Sequence, residues 1–265
     1  MWSVGTGARL FSKDLPSVCV FVMYSPDGSQ IACALENGSI YICDANGAGE
    51  LRHLSGHKKR VNSLTFSPYG TRLASASGDK TIRLWDNITS SPTVRILEGH
   101  TDTVVSIVFS HDGTRLASAS YDHTLRIWDA ASGNQISSAI VPAVIFCVAF
   151  HPDSERVVLA CNDASVYVLN IFEMRNLLLL RRHKDAVYSV SCSVDGNWIA
   201  SASADATVCL WRKEGSRWIH HRTLEDHAGR VYGVTFSPKA TQVASASRSL
   251  DLHMGSGSTG TTRRQ

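Results

Sequence analysis

A short turn sequence recurs at nearly constant spacing, and this periodicity restricts the possible folds more than any other feature of the chain. Six copies occur every 41 to 44 residues, beginning at Ser25, Ser67, Ser110, His151, Ser193 and Ser237. They read SPDG, SPYG, SHDG, HPDS, SVDG and SPKA. A period of this length indicates one supersecondary unit that is repeated side by side, so that neighbouring copies bury each other's apolar faces.

The local signals within one unit all favour β-strands. Val61–Phe66 is rich in apolar and β-branched residues, and the turn after it leads to a strand of small residues at Leu73–Ser77. Thr81–Trp85 alternates apolar and polar residues, and Val94–Leu97 supplies a fourth strand. We therefore predict four antiparallel strands per unit, with the small residues allowing neighbouring sheets to approach closely.

The two most regular copies begin with Gly-His, at Gly56 and Gly99, and end their third strand on Trp-Asp. These marks, in a fixed register with a period near 42, resemble the WD-repeat β-propeller family. The resemblance implies an all-β fold of four-stranded antiparallel blades, with six repeats. The same two copies are also similar to the WD arrays at the C-termini of fungal and bacterial NACHT-type signalling ATPases.

The predicted organisation is a single propeller over residues 1–260, followed by a frayed tail at 261–265. Its repeats lie roughly at 8–54, 55–97, 98–140, 141–181, 182–224 and 225–260. Trp2-Ser3 matches the end of a third strand, so Ala8–Ser12 is predicted to be a fourth strand, and the resemblance implies that it pairs near Leu250–Met254 and closes a six-bladed ring. A fragment of a longer array is the alternative.

A polar set recurs in the more regular units, and the resemblance implies that it forms a hydrogen-bonded network inside each blade. Its members are His57, Asp79 and Trp85; His100, Asp122 and Trp128; and His183, Asp205 and Trp211, each with one of two nearby serines. A buried imidazole needs a partner for each ring nitrogen. The same residue types form hydrolase triads, but an enzyme needs one triad in one cleft, so a structural role is favoured. No catalytic, cofactor or metal residues are predicted.

The loops that begin with Gly-His vary between otherwise similar repeats, and so does the position just before each turn aspartate. Variable loops on a constant frame favour recognition of other molecules. The predicted partner-binding residues are Lys58, Lys59, Arg60, Asp102, Tyr121, Lys184 and Arg230. The predicted function is a non-enzymatic scaffold that binds proteins or peptides.

Charge and composition bear on the alternatives. A net charge of +3 does not favour a nucleic acid as the partner. A platform that binds nucleic acid or phosphate stays open as an alternative function. A hydrolase at the mouth of the channel is a less favoured alternative. The longest apolar run is too short to span a membrane. Seven cysteines without a C-x-x-C pair indicate free thiols in the cytoplasm or nucleus. The sequence leaves the oligomeric state open.

Overall fold

The computed structural model of the protein describes residues 5–88, 92–174 and 177–248. Every regular element within these ranges is a β-strand. The chain divides into two compact units, residues 1–136 and 137–265, and the boundary falls inside one strand. The prediction of an all-β chain built from four-stranded antiparallel sheets is confirmed.

The first unit holds two complete sheets and most of a third, and strands that follow each other along the chain are neighbours in each sheet. The first sheet consists of β1 (Cys19–Tyr24), β2 (Gln30–Leu35), β3 (Ile40–Asp44) and β4 (Arg52–Leu54). The second consists of β5 (Val61–Phe66), β6 (Arg72–Ser77), β7 (Ile82–Asp86) and β8 (Thr93–Leu97). The third consists of β9 (Val104–Phe109), β10 (Arg115–Ser120), β11 (Thr124–Asp129) and β12 (Gln135–Ile140).

The second unit repeats the pattern, and only two strands of its last sheet lie within the described residues. The fourth sheet consists of β13 (Ile145–Phe150), β14 (Arg156–Cys161), β15 (Ser165–Asn170) and β16 (Leu178–Arg181). The fifth consists of β17 (Val187–Cys192), β18 (Trp198–Ser203), β19 (Val208–Glu214) and β20 (Arg217–Leu224). The sixth contains β21 (Val231–Phe236) and β22 (Val243–Ser247).

The small residues of the second strands allow close packing between sheets. In β6, the side chains alternate between the two faces of the sheet. Leu73 lies with Trp85 in the core between the first and second sheets, whereas Ala74 and Ala76 lie in the core between the second and third. All three side chains are completely buried. The middle of the second sheet is thus covered on both faces.

A β-bulge occurs at the same place in all six sheets. Where the first strand pairs with the second, the register shifts at the second residue of the first strand. A bulged residue has no partner in the ladder, so its side chain can point in a new direction. These residues are Val20, Asn62, Val105, Phe146, Tyr188 and Tyr232.

The N-terminal segment differs from its prediction. Ala8–Ser12 forms no strand, because only Arg9 takes part in an isolated bridge. The ring of Phe11 lies against Gly47, and Lys13 Nζ donates a 3.2 Å hydrogen bond to a carbonyl oxygen of the same turn. The expected partner at Leu250–Met254, and also Trp2 and Ser3, lie outside the described residues. Ring closure, the number of blades and the single-propeller boundaries stay predictions.

All seven cysteines are free thiols. Cys43, Cys161 and Cys209 are buried, and burial raises the pKa of Cys161 and of Cys209. Cys19, the first residue of β1, is exposed. The described residues include no helix of the length and apolar character needed to cross a bilayer.

Candidate functional site

The loop before the first strand of each sheet lies beside the turn between the second and third strands of that sheet. The Tyr121 amide, just before the turn residue Asp122, donates a 3.0 Å hydrogen bond to the Thr103 carbonyl. The Ala204 amide donates an equivalent 2.8 Å bond to the Ala186 carbonyl, and the other four sheets make the same bond. These loops and turns therefore share one end of each sheet, which we call the loop end.

His100 is held inside the third sheet by side chains from β10, β11 and the turn between them. Its Nδ1 lies 2.9 Å from Asp122 Oδ2, and its Nε2 lies 2.7 Å from Ser118 Oγ. Trp128 Nε1 donates to the same Ser118 Oγ at 2.8 Å. Because the ionised Asp122 carboxylate only accepts hydrogen bonds, a neutral His100 carries its proton on Nδ1, and its Nε2 accepts the hydroxyl proton of Ser118.

The second and fifth sheets repeat this geometry with nearly the same distances. His57 Nδ1 lies 2.9 Å from Asp79 Oδ2, while Ser75 Oγ lies 2.8 Å from His57 Nε2 and 2.9 Å from Trp85 Nε1. In the fifth sheet the corresponding distances are 3.0, 2.8 and 2.9 Å, among His183, Asp205, Ser201 and Trp211.

The sequence left two serines open as partners in each network, and the structure gives them different roles. The first binds the histidine. The second ties down the loop, since Ser77 Oγ donates to the Lys59 carbonyl at 3.0 Å and accepts from the Asp79 amide at 3.1 Å. The Lys58 amide donates to Asp79 Oδ2 at 2.9 Å. The backbone of the exposed loop is therefore fixed by buried groups, while its side chains remain accessible.

The electrostatics favour a neutral histidine beside a charged carboxylate. Burial acts to raise the pKa of Asp122, but hydrogen bonds from Thr124, the Thr101 amide and His100 outweigh it and lower the pKa to about 2. Burial lowers the pKa of His100, against the opposing effect of Asp122. The pKa of His183 is lowered by burial in the same way.

These networks hold the serine and histidine where a substrate cannot meet them. Ser118 is completely buried, and its hydroxyl is engaged by both His100 and Trp128. The arrangement therefore suits a scaffold that orders loops, whereas a hydrolase needs an open nucleophile. Among the described residues, no three histidine, cysteine, aspartate or glutamate side chains converge as metal ligands would.

The fourth sheet replaces the network with apolar residues. Val141, Leu159 and Leu169 stand where the third sheet has histidine, serine and tryptophan, and each is at most 1% exposed. The turn aspartate is retained as Asp163, and the Tyr167 hydroxyl donates to its Oδ2 at 2.7 Å. Burial, and then the contact with Asp163, raises the pKa of Tyr167 to about 12. Sequence reasoning missed Tyr167, although a tyrosine where the second and third sheets have arginine was a readable signal.

In the first unit, the predicted partner-binding residues lie at the loop ends of the second and third sheets. Lys58, Lys59, Arg60, Asp102 and Tyr121 are all exposed, and Tyr121 is 42% exposed. A further exposed cation, Lys80, was not anticipated. Its Nζ donates a 2.7 Å hydrogen bond to the Thr101 carbonyl and so joins the two loop ends.

In the second unit, Lys184 and Arg230 are exposed at the loop ends of the fifth and sixth sheets. The Lys184 amide donates to Asp205 Oδ2 at 2.8 Å, which repeats the loop anchor of the second sheet. In the sixth sheet, His227 Nε2 lies 2.7 Å from Ser245 Oγ. The binding role of all seven predicted residues stays a prediction.

Repeated four-stranded sheets, each with its preceding loop bonded to the turn between its second and third strands, are the blades of the β-propeller class of proteins. The chain belongs to the WD40 family, described as "WD domain, G-beta repeat". The family model matches residues 49–86, 91–129, 140–170, 174–212 and 218–252, together more than half of the chain. The first sheet lies almost entirely before these matches, yet it folds in the same way.

Named relatives share part of their length with this chain. It is 26% identical over 204 residues to striatin-4 of Homo sapiens, a match that covers 73% of this chain and 27% of striatin-4. It is 25% identical over 213 residues to the serine-threonine kinase receptor-associated protein of Bos taurus, covering 80% of this chain and 60% of that protein. The chain thus spans less than two thirds of the length of these curated relatives.

A solved structure shows the same fold. A chain of the "Crystal Structure of Mitotic Checkpoint Complex" matches with a TM-score of 0.83 and 24% sequence identity. The match covers 93% of this chain and 77% of that chain. At this identity the likeness establishes the fold alone.

Proposed function

We propose that the chain is a non-enzymatic scaffold that binds other proteins or peptides through the loop ends of its sheets. One observation carries the proposal: buried groups fix the loop backbones, while the loop side chains remain exposed. Asp79 accepts from the Lys58 amide, for example, and the Lys58 side chain faces solvent. A rigid frame that presents exposed side chains loses little entropy when it binds.

The relatives support this proposal by name. One is called receptor-associated, and the matched structure is that of a complex. Within the first unit, Tyr121 is the aromatic anchor that we propose, because large aromatic side chains dominate interface energetics. Lys59 and Arg60 would mainly accelerate association and make it depend on salt.

The setting of this function is also part of the proposal. We infer a role like that of the WD arrays attached to NACHT-type signalling ATPases, in the cytoplasm or nucleus, with a protein rather than a nucleic acid as the partner. The alternative nucleic-acid platform predicts affinity for an oligonucleotide that falls steeply as salt rises. Fluorescence anisotropy with a labelled single-stranded DNA at two salt concentrations distinguishes the two.

The direct test replaces Lys59, Arg60 and Tyr121 together with alanine. A matched control replaces the same residue types at the opposite ends of the sheets, which are Tyr69, Arg217 and Lys239. Both variants should melt like the parent, because all six side chains are exposed. Quantitative mass spectrometry then compares the proteins captured from a native extract.

We expect the loop-end variant to lose partners that the parent and the control variant both retain. If the two variants capture the same set of proteins as the parent, binding does not use this end of the first unit.

A further inference from the structure

Three aromatic side chains lie against each other in a row in the second unit. Phe146, Tyr188 and Tyr232 come from the fourth, fifth and sixth sheets. The ring centroids of Tyr188 and Tyr232 lie 5.1 Å apart at an interplanar angle of 14°, and those of Phe146 and Tyr188 lie 5.5 Å apart at 45°. We call these three residues the aromatic ladder.

The β-bulges explain how side chains from three separate sheets meet. Each member of the ladder is the bulged residue of its first strand, immediately after the loop. The equivalent residues of the first unit are Val20, Asn62 and Val105, so only the second unit has aromatic side chains at this position. Bulges of this kind often re-aim side chains beside functional sites.

The outer member of the ladder is open to solvent. Tyr232 is 49% exposed. Within the described residues, the hydroxyls of Tyr188 and Tyr232 make no hydrogen bond to protein. An exposed ring backed by a second stacked ring is a rigid apolar platform with polar tips, which is the character of interface anchors.

Three exposed cationic residues lie on the loops and the turn next to this platform. Arg230 lies two residues before Tyr232, and the Arg248 amide donates a 3.2 Å hydrogen bond to the Arg230 carbonyl. Both arginines are exposed, and neither has an ion-pair partner among the residues that the structure describes. Lys184, on the loop before Tyr188, is likewise exposed. The charge that complements this surface is negative.

We propose that the aromatic ladder, with Arg230 and Arg248, docks an acidic peptide segment of a partner protein that carries an aromatic or large apolar side chain. This inference rests on the proposed function and adds a binding surface in the second unit with a defined partner chemistry. The apolar side chain packs on Tyr232, and carboxylates on either side of it pair with the guanidinium groups. Single-stranded nucleic acid also uses stacking and cations, but a formal net charge of only +3 gives the chain little general attraction for a phosphate backbone, and an oligonucleotide is one of the probes in the test.

The test measures direct binding of defined probes to the full chain by fluorescence anisotropy. The main probe is a labelled acidic peptide with one central phenylalanine among glutamates and aspartates. Matched probes replace the phenylalanine with alanine, replace the acids with lysines, or substitute a labelled oligo-dT. The variants are Tyr232→Ala and Arg248→Glu, with Tyr69→Ala as the control because Tyr69 is an exposed tyrosine in a turn of the first unit.

We expect the acidic phenylalanine peptide to bind the parent, and each ladder variant to weaken it about tenfold or more. The Tyr69→Ala variant and the parent should bind it equally, and all variants should melt within a few degrees of the parent. The alanine and lysine probes should bind more weakly.

Three results would overturn the inference: no binding of the acidic peptide to the parent at about 1 mM, undiminished binding by folded Tyr232→Ala, or tighter binding of oligo-dT. These results leave the proposed function intact if the loop-end variant of the first unit still loses its captured partners. If neither the loop-end variant nor Tyr232→Ala loses captured partners, the result instead counts against the proposed scaffold function.

Discussion

The Tyr167 hydroxyl donates a 2.7 Å hydrogen bond to Asp163 Oδ2, the carboxylate oxygen that three other sheets pair with a histidine. The donor is a loop histidine in those sheets and a strand tyrosine in the fourth sheet, so the turn aspartate has a side-chain donor in all four. The rest of the network is replaced together by Val141, Leu159 and Leu169. Replacing both members of a buried polar pair with apolar groups costs little, whereas replacing one member is expensive. We therefore expect the fourth sheet to be as well packed as its neighbours.

Tyr167→Phe should lower the free energy of unfolding by about 1 kcal/mol, since Asp163 loses its donor while the ring is retained. Urea denaturation measures the change. The control is the same substitution in an Asp163→Ala background, where the hydroxyl has no carboxylate to bind and the cost should shrink. Equal costs in the two backgrounds would show that the hydrogen bond does not stabilise the turn.

His100→Ala should lower the free energy of unfolding by about 1–3 kcal/mol, because Ser118 and Asp122 each lose a buried partner. A matched control is His123→Asn, since His123 is exposed and asparagine tolerates its φ of +65°. The control should remain within about 0.5 kcal/mol of the parent. If the His100→Ala variant is as stable as this control, the hydrogen-bonded network does not stabilise the fold and does not explain the ordering of the loop.

Periodicity made the strands predictable. Val61–Phe66 is β5 as expected, and Leu73–Ser77 lies within β6, because turn residues and apolar alternation are local signals. Local sequence could not predict whether Ser75 or Ser77 binds the histidine, because the answer depends on which face of β6 meets the imidazole. The stacking of Tyr188 on Tyr232 was equally hidden, because it requires bulges in two sheets that are 44 residues apart in the chain.

Stability should fall as the pH drops below about 7, and the buried histidines should account for part of the loss. Burial lowers the pKa of His100 and of His183 in the folded chain. Between their ordinary pKa of about 6.5 and the lower folded values, the unfolded chain therefore binds more protons and is favoured. Below about pH 4, protonation of Asp122, whose folded pKa is about 2, adds a loss of the same sign.

The pH prediction is measured as the fall in melting temperature between about pH 7.5 and pH 5.5. A variant with His100→Gln and His183→Gln should melt lower at both values, but its fall between them should be smaller than that of the parent. His123→Gln, at an exposed histidine, should leave the fall unchanged. A fall of undiminished size in the double variant would mean that other groups govern the acid sensitivity.

Gly99→Ala should be more destabilising than an ordinary glycine substitution, because two effects combine at this position. Gly99 has a φ of +147°, which disfavours a side chain, and a Cβ there would collide with the Arg126 guanidinium. Gly56 meets Arg83 in the same way. In the fifth sheet Arg182 stands at the position of this glycine and Cys209 at that of the strand arginine, and Arg182 does not have a positive φ.

We expect Gly99→Ala to cost about 2–3 kcal/mol of unfolding free energy, measured by urea denaturation. Gly215→Ala is the comparison for an ordinary positive-φ glycine: its φ of +59° lies in the left-handed region, which alanine tolerates better than a φ of +147°, and nothing lies within 4 Å of the added Cβ. Adding Arg126→Ala to Gly99→Ala should recover the smaller, steric part of the cost and leave the backbone strain, which should exceed the loss in Gly215→Ala. If the second substitution recovers nothing, the glycine is required by its backbone conformation and the arginine contact does not limit it.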